Sequence, residues 1–189
     1  MIITISGPPG SGTSTLARAL AAELGLRYVN SGEIFRRMAT EKGITLKELG
    51  RLAEKGPEVD YLIDDAQREL AREGGGIFEG RLSGHVLEAD LKIMLKTDLR
   101  VRAERIARRE NKLFEDSLAE SRSREECEAR RYKKYYNIDM DDCTVYDLVI
   151  DTDRWNEQGT LAISLSAVRC LEEGGLSRGA RRSSSSQWA

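Results

Sequence analysis

The side chains of this chain that could do chemistry together fall into two sets. One is the run Gly7-Pro8-Pro9-Gly10-Ser11-Gly12-Thr13-Ser14-Thr15. Its glycines let the backbone curl until successive N–H groups point at one anion, and its hydroxyls can face a hard cation. The other set is six arginines, Arg36, Arg81, Arg105, Arg109, Arg124 and Arg131, accompanied by Glu79 and Glu128. Phosphoryl transfer asks for this combination. Its transition state spreads negative charge over the equatorial oxygens, so a protein catalyses it by cradling the anion, holding Mg²⁺ and converging guanidinium groups on one point. Spacing supplies part of the convergence: Arg105 and Arg109 are four apart, and Arg124, Glu128 and Arg131 stand at i, i+4 and i+7, each set on one helix face. Taken alone, either set also fits a solvated helix with i,i+4 ion pairs worth only ~0.3–0.5 kcal/mol each.

The elements that must position these groups follow from local pattern. Ile2, Ile3, Thr4 and Ile5 form a short β-branched run that ends at Gly7, and a helical pattern with Leu16, Leu20 and Leu24 begins near Thr13. That order of strand, loop and helix is the order of a phosphate-binding P-loop. The pattern G-x-x-x-x-G-K-[ST] is met at Gly7, Gly12 and Ser14, but Thr13 stands where the lysine belongs. The cradle is intact, its point charge is missing, and Ser14 falls where a Mg²⁺ ligand is expected.

Further along, Gly25 should end the first helix as its C-terminal cap, Leu26–Asn30 reads as a second strand, and Ser31 can cap the helix carrying Arg36. Residues 40–75 read as a helical hairpin, with a capping box at Thr45–Glu48, a break at Gly56-Pro57 and a second helix from about Glu58 to Arg72. Asp60, Asp64 and Gln67 share one face of that helix. They point either at a ligand's base or at water. Ile77-Phe78 is a strand running into Glu79-Gly80-Arg81, Ala89–Leu95 a fourth strand, and Asp147–Asp151 a fifth; the last helix is expected over 156–173. Strands separated by helices imply an α/β fold, a five-stranded parallel sheet with helices on both faces. Ligands bind at the carboxyl edge of such a sheet, where Glu79 and Arg81 fall, unless those two merely pair with each other there.

Composition narrows the class. The 189 residues suit one domain, residues 1–173, followed by a Gly, Ser and Arg stretch at 174–189 that reads as a disordered tail. Lys plus Arg number 30 against 32 Asp plus Glu, so no basic field argues for nucleic acid. Cys127, Cys143 and Cys170 lack a C-x-x-C pair and His85 is the single histidine, which leaves no zinc site and fits a reducing cytosol. No charged leader precedes an apolar run, and no run approaches membrane-spanning length, so a cytoplasmic protein with no membrane partner is expected.

In order along the chain, Ser31-Gly32-Glu33-Ile34-Phe35-Arg36, Glu79-Gly80-Arg81, the strand Ala89-Asp90-Leu91-Lys92-Ile93 and the Arg124, Glu128, Arg131 spacing resemble the segments of the nucleoside monophosphate kinases, and most closely of the cytidylate kinases. Thr13 in place of lysine resembles the archaeal branch. The resemblance covers residues 1 to about 151. It implies transfer of a phosphate from ATP, with Mg²⁺, to CMP and dCMP, by a monomer with an acceptor-binding helical segment at about 31–75 and a lid at about 110–136. It further implies that Gly7 to Thr15 hold ATP with Arg105 against its adenine, that Ser31, Arg36 and Arg81 hold the acceptor, and that Arg109, Arg124 and Arg131 close on the transferring group. Glu79 would hold a Mg²⁺-bound water, and Glu128 would take part in recognising the acceptor's base. Acceptors such as AMP, UMP or dTMP, and a non-catalytic nucleotide-binding regulator, are the alternatives.

Overall fold

The computed structural model describes residues 1–174; the expected tail therefore lies outside the described residues, apart from Gly174, which ends the last helix. Five strands, β1 (Ile2–Ser6), β2 (Tyr28–Asn30), β3 (Gly76–Glu79), β4 (Leu91–Lys96) and β5 (Leu148–Asp151), pair in the order β2-β3-β1-β4-β5. Every pairing is parallel. The helices are α1 (Thr13–Leu24), α2 (Ser31–Glu41), α3 (Leu46–Lys55), α4 (Glu58–Glu73), the short α5 (Ser83–Val86), α6 (Leu99–Glu110), α7 (Phe114–Tyr136) and α8 (Glu157–Gly174).

Alternation along the strands sorts the two faces of the sheet. Ile3 and Ile5 of β1, Ile77 of β3 and Leu91, Ile93 and Leu95 of β4 point to one side, where they pack with Leu16, Ala17 and Leu20 of α1 and Val168 of α8. Thr4 and Ser6 point to the other side, where the Ser6 hydroxyl accepts a hydrogen bond from the N–H of Gly84 in α5. Parallel register then does the positioning. Ile5 lies beside Glu79, and Glu79 beside Asn30, so the ends of three strands present their last side chains along one edge.

A second, smaller cluster holds α2, α3 and α4 together. Ala39, Leu49, Ala53 and Val59 are buried against Phe35, Met38, Ile44 and Ile63, joining α2, α3 and α4 apart from the sheet. The Thr45–Glu48 capping box is formed and Gly25 caps α1 as expected, and Asp98 caps α6. One cap differs: the side chain of Asn30, not Ser31, accepts from the N–H of Glu33, and Ser31 is the first helical residue. Asn30 is better placed because its extended backbone lets the carbonyl oxygen reach forward over the first turn. Leu49→Ala is expected to cost about 2–4 kcal/mol in urea unfolding, whereas Leu46→Ala, at a half-exposed position of the same helix, should cost less than about 0.5 kcal/mol.

Candidate active site

The loop between β1 and α1 curls through Gly10 at φ 86° and Gly12 at φ 94°, left-handed conformations that a side chain would strain. At Gly10 a Cβ would also come within 2.9 Å of the Arg102 carbonyl oxygen, so the loop is packed directly on α6. No side chain caps α1. Its first N–H groups and the positive end of its dipole are left for an anion.

Glu79 organises the floor beneath this loop. The hydroxyls of Thr13 and Ser14 each donate to its Oε1 at 2.7 Å, while Tyr28 and Asn30 donate to Oε2. Burial and the adjacent Glu79 carboxylate push the Tyr28 phenol up to about 12, so it stays a donor. Glu79 therefore does not pair with Arg81, which removes the reading of those two as a mutual ion pair.

Arg81 turns instead to α7. Its Nε donates to Oε2 of Glu128 at 2.7 Å, and Nε of Arg124 donates to Oε1 of the same carboxylate at 2.8 Å. Burial pushes the Glu128 carboxyl up, but the two guanidiniums outweigh it and hold the group below the usual carboxylate range. One turn on, Arg131 lies 2.9 Å from Asp60 of α4. The hydroxyl of Tyr136 donates to Asp64 at 2.6 Å. All of these but Tyr136, with Ser31 and Arg36, line a cleft of about 830 Å³ between α7 and the helices α2 to α4. Asp60, Asp64 and Gln67 are all buried here, so their face of α4 is not a solvated one. Gln67 accepts from the Ser83 hydroxyl at 2.6 Å through its carbonyl oxygen.

A second cleft, about 610 Å³, is lined by the loop itself, α1, α6, the turn after β5 and the start of α8. Arg105 is fixed there, donating to the Thr152 carbonyl at 2.8 Å and its hydroxyl at 3.0 Å, and Thr152 in turn donates to the Ser11 carbonyl. Arg109 lines this cleft as well. It pairs with its neighbour Glu110 at 2.7 Å and lies on α6, whereas Arg81, Arg124 and Arg131 gather around the first cleft.

Sequence reasoning missed Tyr28, Asn30, Arg102 and Tyr136. Asn30 and Tyr28 had no signal in the sequence, because only the parallel register of the folded sheet sets β2 beside Glu79. Tyr136 had only its place on the polar helix, and Arg102 looked like one more surface charge of an arginine-rich segment.

A glycine-rich loop between the first strand and an uncapped helix, opening on a cleft and resting on a carboxylate, with a second cleft lined by three arginines nearby, defines a phosphotransferase of the P-loop kinase class. The fold agrees: a shikimate kinase from Acinetobacter baumannii, solved with shikimate, matches 92% of this chain and 94% of its own with a TM-score of 0.56 at 16% identity. The chain belongs to the cytidylate kinase-like family, whose model matches residues 2–154. It is 72% identical over 172 residues to a cytidylate kinase of Methanothrix thermoacetophila, covering 91% of this chain and all of that protein. It is 50% identical over 174 residues to a cytidylate kinase of Methanocella arvoryzae, covering 92% and 99%.

The buried acceptor-side acids make a pH prediction. Burial raises the Asp64 carboxyl to about 6, only partly offset by the Tyr136 hydrogen bond. A carboxyl with a raised folded-state pKa binds its proton more tightly folded than unfolded. Its contribution is therefore fully present below the unfolded value of ~4 and lost as pH rises through about 6. Unfolding free energy should fall by on the order of 2 kcal/mol across that window, and Asp64→Asn should flatten the slope in urea titrations run at several pH values.

Proposed function

We propose that the protein transfers the γ-phosphate of ATP to CMP, and to dCMP, releasing the diphosphate and ADP. The observation that carries this is an anion cradle that opens on one cleft and rests on Glu79, two residues before Arg81, which lines a second cleft where arginines meet acids of α7 and α4. The activity named for the relatives supports the same reading. In it, residues Gly7 to Thr15 wrap the donor's phosphates with backbone N–H groups, and Arg105 lies against the adenine. Ser31, Arg36 and Arg81 hold the acceptor, Arg36 and Arg81 through its phosphate. An acceptor oxygen forms the new P–O bond while the bridge to the β-phosphate breaks and its electron pair leaves on ADP. That oxygen is already an anion, so no strong base is needed. Arg109, Arg124 and Arg131 spread the developing charge, Arg109 after leaving Glu110 and the other two after the acceptor's phosphate displaces their acid partners.

Hydroxyl and carboxylate oxygens are the hard ligands that Mg²⁺ takes, and Ser14 and Glu79 meet at 2.7 Å, so the residues present fit the ion. Ser14 would bind it directly and Glu79 through water. Bound with ATP, Mg²⁺ supplies neutralisation of the phosphate charge. Three cysteines without a disulfide and no helix among the described residues long and apolar enough to cross a membrane are compatible with a monomer working in the cytoplasm, without nucleic acid or membrane partners.

The base is read on α4. Asp60 and Asp64 present acceptors and the Gln67 amide presents donors. Cytosine offers the complement, an amino group beside two acceptor atoms, whereas uracil would set a carbonyl oxygen against a carboxylate. Glu128 takes a part in this recognition from the lid.

A coupled ADP-release assay with CMP, dCMP, UMP, AMP and dTMP in turn should give its highest kcat/KM with CMP or dCMP; no release with any of them would overturn the proposal. Asp64→Asn should shift the CMP to UMP ratio of kcat/KM toward UMP by about tenfold, the discrimination carried by one mispaired buried polar group. Arg81→Ala should remove about 2–4 kcal/mol of transition-state stabilisation with ATP affinity nearly unchanged. Thr13→Ala should be mild, within about fivefold in single-turnover rate, while Arg131→Ala or Arg109→Ala should slow that step by about a hundredfold. The reverse ranking would mean that the Thr13 hydroxyl itself takes part.

A further inference from the structure

Arg102 lies at the first turn of α6, nearly all of it buried, and none of the roles above uses it. All three nitrogens of its guanidinium are engaged. Nε donates to the carbonyl of Thr97, at the end of β4, at 3.1 Å, and Nη1 donates to the carbonyl of Pro9, inside the phosphate loop, at 3.3 Å. Nη2 meets Oε1 of Glu125 on α7 at 2.7 Å. Its own backbone presses on Gly10, where no Cβ would fit. One buried side chain thus touches the sheet edge, the loop that cradles phosphate and the helix that covers the site.

We infer that Arg102 is a positioning residue that couples the seating of α7 to the shape of the phosphate loop, with Glu125 as the contact through which the helix acts. The inference rests on α7 serving as the lid. The physical reason lies in the desolvation of the guanidinium. With α7 in place the buried charge has a carboxylate partner and two carbonyls. With α7 withdrawn it keeps the carbonyls and loses its only carboxylate among the described residues, which is costly for a charge out of water. The closed helix is favoured accordingly, and the guanidinium that holds the Pro9 carbonyl is most firmly oriented when Glu125 is seated. Geometry adds a second link. Glu125 precedes Glu128 by three residues, about one helical turn, so the height and rotation at which Glu125 docks on Arg102 set where Glu128 meets Arg81. A lysine could not replace Arg102, since a point charge cannot span a carboxylate and two carbonyls in a fixed fork.

The test uses Glu125→Gln, which keeps the shape and removes the charge, Arg102→Lys, and the double variant, in the full chain. Single-turnover CMP phosphorylation at saturating ATP, KM for CMP and hydrogen exchange are measured for each. Each single variant should slow the transfer step about tenfold with KM for CMP within about twofold, and the double variant should be no slower than Arg102→Lys, because residues acting as a unit are non-additive. Exchange should quicken in α7 and in residues 7–15 together. Losses that multiply to about a hundredfold in the double variant, quickened exchange in α7 alone, or lowered thermal stability with a normal rate per folded molecule would each overturn the coupling. A wild-type chain that does not phosphorylate CMP would overturn the proposed function and this inference with it, whereas an active wild type with additive losses overturns this inference alone.

Discussion

The hydrogen-bonded node at Glu79 is the constraint on which the rest of the site depends. A buried carboxylate at the end of β3 must find donors, and it finds them on both sides: Thr13 and Ser14 from the phosphate loop, Tyr28 and Asn30 from β2. Meeting that need fixes the start of α1 relative to the sheet edge and ties the strand that leads into the acceptor segment to the strand that leads into Arg81. Asn30 serves twice, since its carbonyl oxygen caps α2 while its amide serves Glu79. Donor loop and acceptor segment are thereby referenced to one pair of oxygens.

The second organising feature is the charge pairing along α7. A helix this polar cannot be seated by apolar burial, and it is seated by acids and bases that meet partners from three other elements: Glu125 with Arg102 of α6, Glu128 with Arg81 after β3, and Arg131 with Asp60 of α4. Buried pairs of this kind hold position strongly when complete and destabilise when one partner is removed. They contribute less net stability than an apolar interface would, which suits α7 to the part of a lid that the proposed function gives it.

Much of this was legible in the sequence, and for physical reasons. The β-branched run before Gly7, the leucines of α1 and the Thr45 capping box are local signals whose outcome does not depend on distant partners, and the sheet follows from alternation of strand and helix. The arginines were legible as a class because phosphoryl transfer needs them. Their pairing was not. Whether Glu79 would meet Arg81 or the loop hydroxyls is decided by parallel register, and a single chain read by periodicity does not carry register. The capping of α2 shifted by one residue for a similar reason, since Asn30 and Ser31 are both competent caps and Glu79 fixes the orientation of the first. Arg102 was hidden because its neighbours Arg100, Arg105, Arg108 and Arg109 make any single one look like surface charge, and only the packing of α6 on Gly10 singles it out.

The small cluster of Ala39, Leu49, Ala53 and Val59 has a consequence for how such a protein changes over evolutionary time. Because α2, α3 and α4 share a nucleus of their own and leave the sheet through only two covalent joints, after Asn30 and before Gly76, the segment can vary in its interior faces without disturbing the strands. In the proposed reading the residues that meet the acceptor's base lie on α4, inside that unit, while those that meet the phosphates lie on the sheet edge, outside it. Under that reading substrate preference and catalytic competence are inherited on separate parts of the molecule, and drift in one leaves the other free to stay as it is.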